Sequence, residues 1–191
     1  MDLADRWPLP SLPEVRDELL AAYGEPGRGY HDQRHLTEVL DHLEELGCGE
    51  VSVLLAAWFH DAVYDGRPGA EARSAEWARR ALPEPPAAEV ARLVLLTEHH
   101  RPRPGDTRGE LLCDADLAIL AADRERYEAY ARGVREEYAH VPDDAFADGR
   151  AAVLRALVDR PTLFHTPRAR ASWEERARAN VAAELTRLTP P

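Results

Sequence analysis

The 191-residue chain contains no uncharged apolar stretch long enough to cross a bilayer. Its first residues, MDLADRWPLPSLP, also lack the basic start and apolar run of a secretory signal. A cytoplasmic protein is expected. Cysteine is scarce, and Cys48 and Cys113 form no CxxC pair, which argues against a zinc knuckle or a redox motif. Reduced, packed thiols are expected, with a lone disulfide as the alternative. A basic excess is missing too: 24 Lys and Arg against 35 Asp and Glu give a net charge of −11. Such a surface repels nucleic-acid polymers and anionic membranes alike. A phosphorylated ligand would need a local pocket in which metal or arginine overrides the global field.

Alternating β-branched runs and internal repeats are absent as well. Apolar residues instead recur at helical spacing along almost the whole chain, predicting an all-α single domain, 1–191, of eight to nine helices. Expected helices cover 12–23, the HDQRHLTEVLDHLEELG stretch, 51–64, 71–82, 87–100, 109–121, 123–139, 144–159 and 167–188, with Gly, Pro and Asp as punctuation. LPEPPAA reads as a rigid turn and RPRPGDTRG as a loop.

Within the apolar run of 51–64 stands one charged pair, His60-Asp61, in AAWFHDAVYDG. Burying such groups is costly unless they are paired or bind metal. A divalent ion held by imidazole and carboxylate is the economical explanation, and it needs donors from other helices. YHDQRH supplies His31 and His35, four apart and on one face if the helix has begun by His31. LLCDADLAIL supplies Asp114 and Asp116 on nearly opposite faces, with Asp116 slightly favoured as the inward residue. An acid that accepts a hydrogen bond behind the ligands, or one on the surface, is the plain alternative for Asp114. LVLLTEHH ends in His99 and His100, which suit either a helix C-terminus or the wall of an anion site. His42 is expected on the helix surface and His140 and His165 in structural roles, and Trp7, Trp58, Trp77 and Trp173 as core or interface bulk.

An isolated histidine, a His-Asp doublet on an apolar helix and a distant aspartate in ADL form the ordered pattern H…HD…D. Together with EARSAEWA, LLTEHH, VREEYAHVPDDAFADGRAAVL and PTLFHT, it resembles the HD superfamily of metal-dependent phosphohydrolases, specifically its small predicted members. The resemblance implies an HD-domain helical bundle, with a motif core over 30–120 and the helices of 123–188 packed on it. It also implies His35, His60, Asp61 and Asp116 as metal ligands. The YHxxxH opening is similar to the start of the cyclic-nucleotide phosphodiesterase signature, which makes His31 the general acid. Binuclear relatives carry further histidines; here Glu71 stands at the first such place, and His99 or His100 is available for the second. One ion is expected, with a second possible, and Mn, Mg, Fe, Co, Ni and Zn are not distinguished.

The chemistry this implies is hydrolysis of a phosphate ester or anhydride in a nucleotide or another small phosphorylated metabolite. The metal would activate water. Asp61 would orient or deprotonate that water as well as bind the ion, and His31 would protonate the departing oxygen. Arg34, Arg135 and Arg150 are candidate clamps for phosphate oxygens. For each of them a solvated helix-face arginine is the competing explanation. A di-iron oxygenase and a catalytically silent nucleotide-binding module are the alternative functions.

Overall fold

A computed structural model describes residues 2–189, and these residues form an all-helical bundle with no strand among them. Nine α-helices follow one another: α1 Pro13–Tyr23, α2 Gln33–Glu45, α3 Val51–Phe59, α4 Ala70–Ala81, α5 Ala87–Leu96, α6 Thr107–Leu117, α7 Arg124–Glu137, α8 Asp143–Val158 and α9 Pro167–Leu188. Short 3-10 turns occupy Leu3–Arg6 and Ala118–Ala121. None of the described helices is long and apolar enough to cross a membrane. Cys48 and Cys113 are both free thiols.

The helix starts have local chemical causes. Asp32, Asp106, Asp123 and Thr166 each accept a backbone N–H at the start of α2, α6, α7 and α9, satisfying donors that have no partner within the helix. Proline at the first position of α1 and α9 adds a preset φ.

Three helix ends fall short of the periodicity, each where a side chain takes over a backbone partner or the chain reverses. The run expected over 51–64 is helical only through Phe59, and the His60 ring turns back so that its Nδ1–H donates to the Ala57 carbonyl at 2.7 Å. His60 and Asp61 thus lie in the turn after α3, at the helix exit. α5 stops at Leu96; Thr97 Oγ1 donates to Val94 O at 2.8 Å, and His100 adopts a left-handed φ of 48°. The helix expected over 109–121 ends at Leu117 and tightens into the 3-10 turn.

Two apolar cores meet along α6. The first gathers α1 to α6 around Leu36, Leu40, Leu55, Trp58, Leu93 and Leu112. The second gathers the Ala118–Ala121 turn and α7 to α9 around Leu120, Tyr127, Leu154, Phe164, Trp173 and Val181. Asn180 of α9 donates to Leu120 O and Ala122 O at 2.9 Å each, tying that helix to the junction. Trp7, Trp58 and Trp173 are buried and Trp77 is half-buried, so all four serve as packing. His42, expected on a helix surface, is instead half-buried, with its ring 5.3 Å from that of Trp173. The cause is α9, which lies across that side of α2.

One close backbone approach sets the position of α7. A Cβ on Gly29 would collide with the carbonyl of Gly133, and one on Gly133 with the carbonyl of Gly29. Only paired glycines let α7 press directly on the segment that leads into Tyr30 and His31.

Candidate metal centre and its cleft

His35 on α2, His60 after α3 and Asp116 on α6 bring one donor atom each into a group within 4.8 Å of one another. The two Nε2 atoms are 3.0 Å apart. Asp61 Oδ2 lies 3.2 Å from His35 Nε2 and 3.1 Å from His60 Nε2, and Asp116 Oδ1 lies 3.3 and 3.5 Å from the same atoms. Because the Nδ1 proton of His60 is committed to Ala57, the neutral ring must present its Nε2 lone pair to the cluster. Two imidazole nitrogens face to face between two carboxylates call for a cation. The group can hold a metal ion, and its nitrogen and oxygen donors suit a divalent transition metal.

Without an ion, protons take that place. Burial, the largest influence, disfavours the charged form of all four groups, yet their mutual attraction outweighs it. His35 and His60 are raised above the ordinary imidazole range, while Asp61 and Asp116 are held well below the carboxylate range.

Backbone clamps hold the centre in place. Arg28 donates to the carbonyls of His31 at 2.8 Å, Asp61 at 2.7 Å and Ala62 at 3.0 Å. Asp61 N–H donates to the Tyr23 hydroxyl at 3.2 Å, and Val63 N–H to Ser74 Oγ at 3.0 Å. His100 Nε2–H donates to Asp116 Oδ2 at 2.8 Å and so leaves Oδ1 directed at the two imidazoles. Fixing a candidate ligand's second oxygen in this way is the usual outer-shell device of metal sites. The His100 backbone is in turn anchored by Arg160, which donates to His100 O at 3.0 Å and His99 O at 2.8 Å.

His31 lies just before α2, since Asp32 caps the helix, but its ring still approaches that of His35 with centroids 5.5 Å apart. Glu137 of α7 holds it at two points and its neighbour Tyr30 at a third. One carboxylate oxygen accepts the N–H groups of Tyr30 at 2.8 Å and His31 at 2.9 Å, and the other accepts His31 Nδ1–H at 2.8 Å. Burial raises the Glu137 carboxyl, but these bonds more than compensate and hold it below its usual range. The opposite ring face stacks on Tyr64 at 3.9 Å. Nε2 of His31 remains available on the cleft side.

The centre opens into a cleft of about 950 Å³ between the two cores. His35 and His60 are almost fully covered, whereas Asp61 and Asp116 keep 15 % and 13 % of their side chains exposed. Access is therefore from the carboxylate side. Glu71, His99, His100, Arg101, Arg150 and Arg160 also line the cleft.

The remaining expectations divide. Asp116 enters the cluster. Asp114 is fully buried, with no surface role: it accepts His165 N–H and Thr166 N–H at 2.7 Å each, and burial pushes its carboxyl up. His100 reaches Asp116, while His99 points to solvent with 72 % of its side chain exposed. Glu71 stands on the cleft wall, outside the close group of donors.

The arginine clamps need correction. Arg34 is exposed, pairs along its own helix with Glu38 at 2.9 Å and does not line the cleft. Arg135 does not line it either; it braces the loop after α7 by donating to Tyr138 O at 2.6 Å, Val141 O at 3.0 Å and Asp143 Oδ1 at 2.6 Å. Arg150 does line the cleft, but its guanidinium is engaged by Glu184 at 2.9 Å and stands 4.9 Å over the Tyr130 ring.

Arg28, Glu137 and Arg101 had not been expected. Among the described residues no hydrogen bond or ion pair holds Arg101, which leaves it as the free cation at the cleft. The RPRPGDTRG segment after His100 was its only sequence signal. No family model, no curated protein and no solved structure matches the chain.

Proposed function

We propose that the chain is a metal-dependent phosphohydrolase of the HD type, hydrolysing the ester or anhydride bond of a small phosphorylated molecule. The observation that carries this reading is the convergence of His35, His60, Asp61 and Asp116 at the floor of a cleft, beside a histidine oriented by a buried carboxylate. When bound, a divalent ion there would lower the pKa of a water molecule and polarise a phosphoryl oxygen. Two carboxylates balance its charge, so a phosphate anion meets a near-neutral floor instead of an acidic one.

Asp61, one of the two partly exposed carboxylates, orients the attacking water and accepts its proton. As the water oxygen bonds to phosphorus and the bond from phosphorus to the leaving oxygen breaks, His31 delivers a proton from Nε2 to that oxygen. Glu137 keeps the Nδ1–H tautomer in place and stabilises the ring when it is charged. Arg101 is the group that attracts the anion to the mouth.

The test is metal analysis of the purified protein followed by a phosphate-release screen over nucleotides, sugar phosphates, simple phosphate esters and pyrophosphates, with Asp61→Ala alongside. Phosphate release that depends on added metal and is lost in the variant is expected. Full metal content and full activity in Asp61→Ala would overturn the assignment, as would iron at two per chain with an oxygen requirement.

A further inference from the structure

Beyond its polar floor the cleft changes character. The chain leaving Asp116 turns its next residues, Leu117 and Ile119, into the space, and α7 and α8 add Tyr130, Val134 and Leu157. These five side chains are nearly buried, their residual exposure being 6 to 9 %. Phe146 and Val153 of α8 stand on the same wall. Val153, at 56 % exposed, is one of only three large apolar residues that the described chain leaves open.

The charged group on this wall is already used, and the one hydroxyl of the lining that is buried without a partner, that of Tyr30, belongs to the metal end, its ring 4.6 Å from that of His35. Arg150 and Glu184 satisfy each other, with 9 % and 7 % of their side chains exposed, and Tyr127 donates its hydroxyl to the same carboxylate at 2.5 Å. A wall that recognised a nucleobase or a polyhydroxyl sugar would need free donors and acceptors at fixed positions, since discrimination of such groups comes from hydrogen bonds. The other polar side chains of the cleft, Glu71, Glu98, His99 and Arg101, stand on α4 and on the segment after α5, where His99 and Glu98 pair at 3.8 Å.

Resting on the phosphohydrolase reading of the floor, we propose that the substrate is a phosphate ester of a hydrophobic alcohol. The phosphoryl group sits over His35, His60, Asp61 and Asp116, and a hydrocarbon body lies along Leu117, Ile119, Tyr130, Val134 and Leu157. Leu117 follows Asp116 in the chain and lines the same cleft, so the apolar wall starts close to the metal end. The volume of about 950 Å³ holds a body much larger than a simple phosphate.

The test uses n-alkylphosphonates from ethyl to octyl, which keep the head group but have no ester bond to cleave. Their affinities for the metal-loaded protein are measured by calorimetry, beside the phosphate release rates of the matching alkyl phosphates and of glycerol and ribose phosphates. Affinity is expected to rise about fourfold per methylene, on the order of 200-fold from ethyl to hexyl. Val153→Asp, a substitution at an exposed position that the fold tolerates, is expected to flatten that increment. A chain-length series that is flat, or a preference for glycerol or ribose phosphate over butyl phosphate, overturns the proposal even if hydrolysis is robust. A steep series without any phosphate release supports the ligand class and sinks the hydrolytic reading instead.

Discussion

Glu137 and His31 are separated by 106 residues in the chain, yet the carboxylate grips both the backbone and the ring of the histidine. The grip exists because Gly29 and Gly133 let α7 lie against the segment entering α2. It turns a histidine outside any helix into a group with one defined tautomer. His31→Gln is expected to lower kcat about 100-fold, a typical loss for a general acid. Glu137→Gln, which removes the charge and turns an amide N–H toward one of the donors the carboxylate now accepts, should lower kcat about tenfold with KM and metal content unchanged, on the scale of outer-shell partners. Equal loss of metal and activity in Glu137→Gln would mean that it only supports the fold.

The glycine contact makes a separate prediction. Gly133→Ala should destabilise the protein by about 1 to 3 kcal/mol, since neither backbone can retreat from the added methyl. Gly149, inside α8, has open space where a Cβ would go. Gly149→Ala should therefore be neutral or stabilising by up to about 1 kcal/mol. Urea unfolding of the two variants, with the slope checked for constancy, measures both.

Metal uptake should release protons. In the metal-free protein the pull of Asp61 and Asp116 strengthens the hold of His35 and His60 on ring protons despite burial. An ion must displace those protons, so affinity rises with pH until both rings are neutral. Adding Mn²⁺ or Zn²⁺ to unbuffered protein is expected to acidify the solution, with a smaller signal in His35→Ala. Saturating metal at 100 times its dissociation constant would add about 2.7 kcal/mol of stability, read as a higher melting temperature that a chelator reverses.

Acid stability has an identifiable contributor away from the centre. Glu38 is partly buried, and burial pushes its carboxyl up, but Arg126 at 2.7 and 2.6 Å and Arg34 at 2.9 Å more than offset this and leave it lowered. A depressed carboxylate contributes its full stability above its unfolded value, and that contribution drains away as pH falls through the folded one. Glu38→Gln should cost roughly 1 to 2 kcal/mol at pH 7. The gap from the parent should close as pH falls through the lowered folded-state value, beneath the ordinary carboxylate range. A gap independent of pH would assign the effect to packing.

The centre was more legible in the sequence than its surroundings, for a physical reason. His60 and Asp61 stood out because charge in an apolar run demands a partner, and Asp116 because it shared a helix face with Leu112 and Ile119. Glu137 and Arg28 act through contacts set only by the tertiary fold, and each looks like one more charged residue on a polar stretch. Arg34 and Arg135 were misplaced for the converse reason: nearness to a motif in sequence did not overcome the local pairing of Arg34 with Glu38 or of Arg135 with loop carbonyls. Helix ends at 59, 96 and 117 were hidden because apolar periodicity continues through the turns that break the helices.

The two acids of CDAD give the sharpest separation of fold from site. Asp116 meets the imidazoles and His100, whereas Asp114 faces the other way and caps the chain entering α9 through the N–H groups of His165 and Thr166. Asp114→Asn places an amide N–H against one of those donors or leaves it unmatched in the interior, a loss of about 1 to 3 kcal/mol. Its metal content should stay at the level of the parent protein. Asp116→Asn should do the reverse: metal affinity and phosphate release fall, while the metal-free protein loses the attraction between one carboxylate and the two rings and weakens the bond from His100 Nε2–H. Parallel metal analysis and thermal melts on the two variants decide between these assignments. If Asp114→Asn lost metal and Asp116→Asn kept it, the acids would have exchanged roles and the proposed centre would be wrong.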